Sequence, residues 1–111
     1  MKQKDVIKYE DFDKLDIRLG EIISAEKIEK SNKLIKLIID FGDFKRQILA
    51  GIATKYNAED LIGKKIPVIV NIAPIKMMGL ESEGMILAVG DNNVEALLHP
   101  DDKVNNGSLV N

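Results

Sequence analysis

The sequence has no cysteine and no tryptophan, and its 111 residues include one histidine, two tyrosines and three phenylalanines. The lack of cysteine excludes a disulfide framework and a thiolate metal site, and it fits a protein of a reducing compartment. The single histidine, His99, has no second histidine or cysteine with which to bind a metal. With so few aromatic rings, aromatic stacking cannot be the main means of binding a ligand.

Long apolar runs are also missing from the sequence. No run approaches the roughly 20 residues that a membrane-spanning helix requires, and the polar start over residues 1–5 lacks the apolar core of a signal peptide. Hydrophobic residues make up 45% of the chain and charged residues 31%, an ordinary globular balance. We therefore predict a single domain over residues 1–111, located in the cytoplasm and without a membrane partner.

Charge is unevenly distributed along the chain. The formal net charge of −2 argues against a nucleic-acid binder that relies on strong electrostatic attraction. Residues 1–40 hold nine basic and nine acidic side chains, residues 41–80 hold six basic and three acidic, and residues 81–111 hold one basic and six acidic. A modest basic face is compatible with this pattern, and its phosphate contacts would be few and sensitive to salt.

Motifs for catalysis are not found. The chain has no identifiable nucleophile–base pair, no glycine-rich phosphate loop and no metal-ligand spacing. We therefore predict that the protein is not an enzyme by itself and that it uses no cofactor.

Alternating and β-branched residues predict a mainly β fold. A short amphipathic helix is expected over residues 9–15, with Asp11 as its cap and with Phe12 and Leu15 facing inward. A second helical segment is expected over 54–63, ending at Gly63. The first strand is expected to bend or bulge at Gly20. The predicted strands are 16–29, 34–39, 45–51, 66–71, 85–89 and a further short strand over 94–98.

Five strands with a helix between the third and the fourth are typical of the five-stranded Greek-key barrel of the OB type. Such barrels bind oligonucleotides on strands two and three and at the loops after strands one and four. The loop after strand four offers an amide, an ammonium, a hydroxyl and a thioether group to a planar polar ligand. These groups belong to Asn71, Lys76, Ser82 and Met85.

The sequence resembles the tRNA-binding domain that is appended to methionyl-tRNA synthetases and that also occurs as a free-standing protein. The resemblance covers nearly the whole chain. It is carried by residues 12–20 (FDKLDIRLG), 33–37 (KLIKL), 46–52 (RQILAGI), 71–79 (NIAPIKMMG) and 82–88 (SEGMILA).

The resemblance implies an OB-fold that binds tRNA without strong sequence preference, as an auxiliary module or subunit of methionyl-tRNA synthetase. It also implies a homodimer built from segments that flank the barrel, near the amino-terminal helix and after about Leu97, with a synthetase catalytic subunit as a further partner. The tRNA-binding residues that it implies are Lys33, Arg46, Asn71, Lys76, Ser82 and Met85.

The sequence departs from the family pattern at two places, and two other functions remain as alternatives. The loop after strand one reads EKSN over 29–32, and Ile75 stands where relatives often have a cation, so weak binding is expected. A CsaA-like dimeric chaperone for extended peptides is the main alternative, although Gly84 and Met85 favour the tRNA-binding branch. A third possibility is an assembly module whose function is its dimer interface.

Several side chains also have structural interpretations: Ser82 as a bond to a turn or backbone group, and Asn71 as a partner of loop amides. Arg46 is a possible ion-pair partner of Asp43, a pairing that contributes only about 0–1 kcal/mol at a surface. Arg18 is expected to pair with an acid. Met77 and Met78 are expected to pack against the fold rather than to contact a ligand.

Overall fold

The computed structural model describes residues 2–111, and Met1 lies outside the described residues. It contains one short helix, α1, one 3-10 helix and nine strands. Their bounds are α1 Tyr9–Phe12, β1 Ile17–Lys27, β2 Ile35–Asp40, β3 Lys45–Ala50, the 3-10 helix Ala58–Asp60, β4 Lys65–Ile69, β5 Ile75–Met77, β6 Leu80–Ser82, β7 Met85–Ile86, β8 Ala88–Gly90 and β9 Val94–Leu97.

Five of these strands form one antiparallel sheet in the order β3-β2-β1-β4-β7. The sheet curls so that β3, at one edge, approaches the chain around β7, at the other; the Glu83 amide donates to the Gln47 carbonyl at 2.8 Å. The predicted fold class is confirmed: the protein is mainly β, with a five-stranded OB-type barrel.

Strand β1 holds the barrel together because it pairs with two neighbours in succession. Its first half pairs with β4, from Ile17 opposite Ile69 to Glu21 opposite Lys65. Its second half pairs with β2, and the register shifts between Ile22 and Ser24. Such a bulge bends a strand and increases its twist, which lets one long strand serve both sides of the barrel.

The prediction that Gly20 marks the bulge was wrong, since the bulge lies beyond it. Gly20 instead gives two core side chains room to approach the strand. A Cβ built at this position would lie 2.6 Å from the Phe41 ring and would collide with Ile39. A glycine is therefore needed here for core packing.

The barrel interior is filled by alternate residues of the central strands, as a period of two requires. Burying one isoleucine, leucine or valine side chain of this set contributes about 1.5–3 kcal/mol. Leu61, just after the 3-10 helix, is likewise fully buried. The inward-facing strand residues are Ile22, Ile35, Leu37, Ile39, Ile48, Ala50, Ile66 and Val68, each exposed by 3% or less.

The helical predictions were only partly right. The first helix is α1, its N-cap is Lys8, and Asp11 is the third helical residue, whose carboxylate accepts the Lys8 amide at 3.2 Å. Phe12 and Leu15 are 37% and 43% exposed, so the prediction that they face inward was wrong. A helix of one turn has no long apolar face to dock.

The predicted helix over 54–63 is reduced to the 3-10 turn of Ala58–Asp60. Asn57 is extended at its N-cap, with φ of −83° and ψ of 140°. Thr, Tyr and Asn are weak helix formers, which explains the late start. Gly63 does have the positive φ, 92°, expected of a residue that ends a helical segment.

The carboxyl-terminal part of the chain adds a hairpin and a return along β1. Strands β8 and β9 form the hairpin, so the predicted fifth strand divides into β7 and β8, while the predicted short strand over 94–98 is confirmed. Residues 107–110 then run beside the first half of β1. The Leu19 amide donates to the Ser108 carbonyl at 2.9 Å, and the Val110 amide donates to the Ile17 carbonyl at 2.8 Å.

Candidate nucleic-acid interface

Lys76 is presented by a hairpin that the sequence patterns did not reveal. Strands β5 and β6 pair with Lys76 opposite Glu81, and their two-residue turn is Met78-Gly79. Both turn residues have positive φ, 52° and 77°, which a type I′ hairpin turn requires. The X-Gly dipeptide between two short strands was the available signal. Lys76 is exposed, and among residues 2–111 it has no acidic partner within 4.0 Å.

The Asn71 side chain fastens the start of this loop to the chain that enters β1. Its Oδ1 accepts the Asp16 amide at 2.8 Å, and its Nδ2 donates to the Lys14 carbonyl at 2.7 Å. One residue earlier in the chain, the Val70 amide donates to the Asp16 carbonyl at 2.9 Å. Asn71 therefore bonds to the protein backbone through both ends of its amide.

Ser82 lies in the wall of the barrel. Its side chain is 3% exposed, its Oγ accepts the Leu49 amide at 3.0 Å, and its hydroxyl donates to the Gly84 carbonyl at 3.0 Å. In an ordinary sheet the Leu49 amide would donate to a backbone carbonyl of a neighbouring strand, and here it donates to the Ser82 hydroxyl instead.

Glu83, to which sequence reasoning gave no role, does the same for the next bond along β3. Its Oε1 accepts the Gln47 amide at 2.8 Å, while its own amide donates to the Gln47 carbonyl at 2.8 Å. The Gln47 side chain in turn donates to the Glu81 carbonyl at 3.0 Å. We call residues 47–49 and 82–84 together the seam, because side-chain hydrogen bonds close the barrel there.

Gly84 completes the seam by allowing the chain to pass close to β4. A Cβ at this position would lie 2.8 Å from the Ile69 carbonyl oxygen and 3.1 Å from the Ile48 side chain. Each of three successive residues thus contributes to closing the barrel: Ser82 and Glu83 accept amides of β3, and Gly84 allows close passage along β4. The seam fixes the β5–β6 hairpin on one side and Met85 on the other.

Lys33 belongs to a compact loop between β1 and β2. The Ser31 hydroxyl accepts the amides of Lys33 and Leu34 at 3.2 and 3.0 Å, and the Ala53 amide donates to the Lys33 carbonyl at 2.9 Å. The Lys33 side chain is exposed. The loop is thus attached to the segment that directly follows β3.

Met85 is brought close to that same segment. Its side chain is 45% exposed, and it lines a groove together with Gly51 and Ile52. The Lys33 carbonyl bonds to Ala53, the residue after Ile52. The Lys33 loop and Met85 therefore both lie close to the segment that follows β3.

Arg46 lies towards the other end of β3. Its guanidinium carbon is 4.6 Å from the centre of the Phe44 ring, which stacks on Phe41 with ring centres 5.1 Å apart. This cation–π contact replaces the ion pair considered for Arg46 and Asp43, which is absent among the described residues. Arg46 adjoins Gln47, whose backbone bonds to Glu83, whereas Met85 lies by Gly51 and Ile52 beyond the end of β3.

Arg18 forms the expected ion pair. Its Nε donates to the Asp16 carboxylate at 2.9 Å, and both side chains are about one-third exposed. The pair stands at the start of β1. The structural interpretation of Arg18 is therefore confirmed.

The part of the chain that the structure describes offers no group of three or more histidine, cysteine, aspartate or glutamate residues placed to hold a metal ion. Within the same residues, no helix has the length and apolar character needed to cross a membrane.

Comparison with known proteins identifies the family. Residues 17–109 match the family model described as a putative tRNA binding domain. The chain belongs to this family. The matched region runs from the first residue of β1 to the tail segment beside it and so covers the whole barrel.

Individual proteins and solved structures are also similar to this chain. A methionine–tRNA ligase of Archaeoglobus fulgidus is 53% identical over 110 residues, which are 99% of this chain and 17% of that protein. The crystal structure of a MetRS related protein from Pyrococcus horikoshii matches with a TM-score of 0.89 and 37% identity, covering 96% of this chain and 99% of that one. The chaperone CsaA from Bacillus anthracis matches with a TM-score of 0.88 and 37% identity, covering 96% and 100%.

The chain spans about one-sixth of the length of the curated relatives that it matches. The stretch that matches these methionine–tRNA ligases includes the tRNA-binding domain, residues 17–109 of this chain.

Proposed function

We propose that this chain is a single non-catalytic domain that binds folded tRNA and serves, in the cytoplasm, as an auxiliary module or subunit of a methionyl-tRNA synthetase. The observation that carries the proposal is the family match over the whole barrel. Lys33 and Lys76 are exposed, on loops that hydrogen-bond to the segment after β3 and to β3 itself. This agrees with the proposal, because phosphate contacts require accessible cations.

Six residues implied by the resemblance divide into two groups by their surroundings. Lys33, Arg46 and Lys76 supply contacts to phosphates, and Met85 lies against an exposed base or ribose. Asn71 and Ser82 hold the loops in place, since their polar groups already bond to the protein. Three cations on a chain of net charge −2 give weak, salt-sensitive binding.

Such a module acts on the synthetase reaction without altering its chemistry. Holding tRNA near a catalytic subunit raises the local tRNA concentration. The expected consequence is a lower apparent KM for tRNA with little change in kcat.

The experiment that tests this function is fluorescence anisotropy with labelled tRNA at low and at physiological salt. An unstructured single-stranded RNA is the control. Binding of folded tRNA with a Kd of about 1–100 μM that weakens with salt, and weaker binding of the control, support the proposal. No tRNA binding at low salt contradicts it.

We also propose that the domain is a homodimer formed through the segments that flank the barrel. Large apolar side chains are uncovered in the amino-terminal segment, where Val6 is 97% and Ile7 65% exposed. At the other end of the chain, a cavity of about 300 Å³ is walled largely by apolar tail residues, among them Leu98, Val104 and Leu109. A second copy of the chain would cover both.

Light scattering after gel filtration tests the dimer. Leu109→Asp places a charge at the tail cavity and is expected to give a monomer. Ile62→Asp, at a residue 55% exposed but outside the cavity, is the control and is expected to stay dimeric. A monomeric wild-type protein contradicts the proposal.

The similarity to CsaA favours one second candidate, a chaperone that binds extended peptides. This function predicts protection of an unfolded polypeptide from aggregation, with little dependence on salt and without competition by tRNA. Protection that folded tRNA abolishes would instead place peptide and tRNA on the same surface.

A further inference from the structure

A groove with a volume of about 430 Å³ lies between the segment after β3 and the β8–β9 hairpin. We call it the hairpin groove. Its volume is within the about 300–1,000 Å³ of pockets that bind small molecules. It is lined by Gly51, Ile52, Met85, Ile86 and residues of the 88–94 hairpin.

The lining of the hairpin groove suits a base better than a phosphate. Asp91 is the only charged side chain among the described residues that line it, and a carboxylate repels a phosphate while accepting hydrogen bonds from base N–H groups. Asn92 and Asn93 add amides that both donate and accept. Met85 contributes an exposed thioether to one wall.

Glycine residues shape both walls of the groove. Around a Cβ built at Gly51 no atom lies within 4 Å, so the groove is open at this point. Gly90 has a φ of 139°, and a side chain there would collide with the Asn93 carbonyl. The tight turn that brings Asn92 and Asn93 to the groove therefore depends on Gly90.

The neighbourhood of the groove supplies the cation that its lining lacks. Ala53 follows the groove residue Ile52, and its amide bonds to the Lys33 carbonyl at 2.9 Å. Lys55, exposed and unassigned by sequence reasoning, lies two residues further on. A nucleotide with its base in the groove would have its phosphate on the side of these lysines.

We propose that the hairpin groove binds one unpaired base of a folded RNA, with its face against Met85 and its edge toward Asn92 and Asn93. The inference rests on the proposed tRNA-binding function and adds a site to it. It makes the β8–β9 hairpin part of the recognition surface and gives the domain a means to distinguish RNA with exposed bases from fully paired RNA.

Filling the groove tests the proposal. Gly51→Leu places a side chain in open space, and Asn57→Leu adds the same side chain at an exposed position outside the groove. We expect Gly51→Leu to weaken binding of folded tRNA about tenfold, near the lower end of the range for loss of one base stacked on an aromatic ring, because the thioether of Met85 takes the place of a ring here. Its binding of a fully paired RNA duplex should not change, and Asn57→Leu should bind both RNAs like the wild type.

The salt dependence separates base contacts from phosphate contacts. Gly51→Leu and the double variant Asn92→Ala/Asn93→Ala should lower the tRNA affinity and leave the slope of log affinity against log salt unchanged. Lys33→Ala should reduce that slope, because it removes a phosphate contact. Circular dichroism melting checks that each variant is folded.

Three outcomes would overturn the proposal. The first is wild-type affinity for tRNA in both groove variants while Lys33→Ala binds more weakly, and in that case the tRNA-binding function stands. The second is an equal loss of affinity for tRNA and for duplex. The third is failure of the wild-type protein to bind tRNA at all, which overturns the proposed function as well.

Discussion

The seam and the exposed residues Lys76 and Met85 beside it, which we call the rim, use their side chains in opposite ways, although they share one stretch of sequence. Ser82 is 3% exposed and bonds only to backbone, whereas Met85, three residues later, is 45% exposed. Glu83 bonds to β3 through its carboxylate, whereas Lys76 has no acidic partner within 4.0 Å among the described residues. Residues of one stretch of sequence therefore divide between closing the barrel and lying exposed to solvent.

A barrel closed by side-chain bonds positions the hairpin on one side of the seam and Met85 on the other. Changes at the seam should therefore affect stability first, and changes at the rim should affect binding without affecting stability. Four substitutions test this division.

The largest effect is expected for Gly84→Ala. The added Cβ would lie 2.8 Å from the Ile69 carbonyl, and overpacking against backbone costs about 1–3 kcal/mol. The matched control is Gly51→Ala, where no atom lies within 4 Å, and its effect should be near zero. Urea denaturation measures both; equal stabilities of the two variants would disprove tight packing at Gly84.

Ser82→Ala should come next. It leaves the Leu49 amide and the Gly84 carbonyl without their partner, at a cost of about 1–3 kcal/mol. Ser24→Ala, at an exposed serine of β1, should change the unfolding free energy by less than about 0.5 kcal/mol. A Ser82→Ala protein with wild-type stability and much weaker tRNA binding would instead make Ser82 a direct contact.

Lys76→Ala should show the reverse behaviour. We expect tRNA affinity to fall about three- to tenfold and the salt slope to decrease by about 1, while the melting temperature stays constant. Lys103→Ala removes the same charge from the exposed tail and should bind tRNA like the wild type. Equal losses in the two variants would mean that only net charge matters.

The smallest effect is expected at the hairpin tip. Met78 has a φ of 52°, a left-handed conformation that asparagine adopts more readily than methionine. Met78→Asn should therefore stabilise the protein by about 0.5 kcal/mol, as measured by thermal melting. Destabilisation would show that the Met78 side chain contributes packing that outweighs its backbone conformation.

Sequence patterns predicted the strands well because alternation of apolar residues follows directly from a half-buried barrel wall, as in Ile35, Leu37 and Ile39. They failed where tertiary contacts decide. Phe12 would face inward only if α1 packed on the barrel, and a helix of four residues has too little apolar surface to dock there. The bulge was placed at Gly20 because glycine often marks one, although packing by Phe41 is what requires that glycine.

For the candidate site, sequence reasoning supplied a list of residues but not the partners to which they bond. Asn71, Lys76, Ser82 and Met85 follow from the loop composition and the resemblance. That Ser82 bonds to Leu49, more than 30 positions away, cannot be derived from spacing. Glu83 was overlooked for the same reason, because nothing in the sequence around a single loop glutamate indicates which strand its carboxylate will bond to.

The most direct test of the central claim is the tRNA dissociation constant of the Lys76→Ala/Met85→Ala double variant, measured by fluorescence anisotropy from about 50 to about 200 mM salt. We predict that the variant melts like the wild type and binds tRNA at least tenfold more weakly at low salt. A folded double variant with wild-type tRNA affinity at every salt concentration would contradict the claim that the rim beside the seam is the tRNA-binding surface.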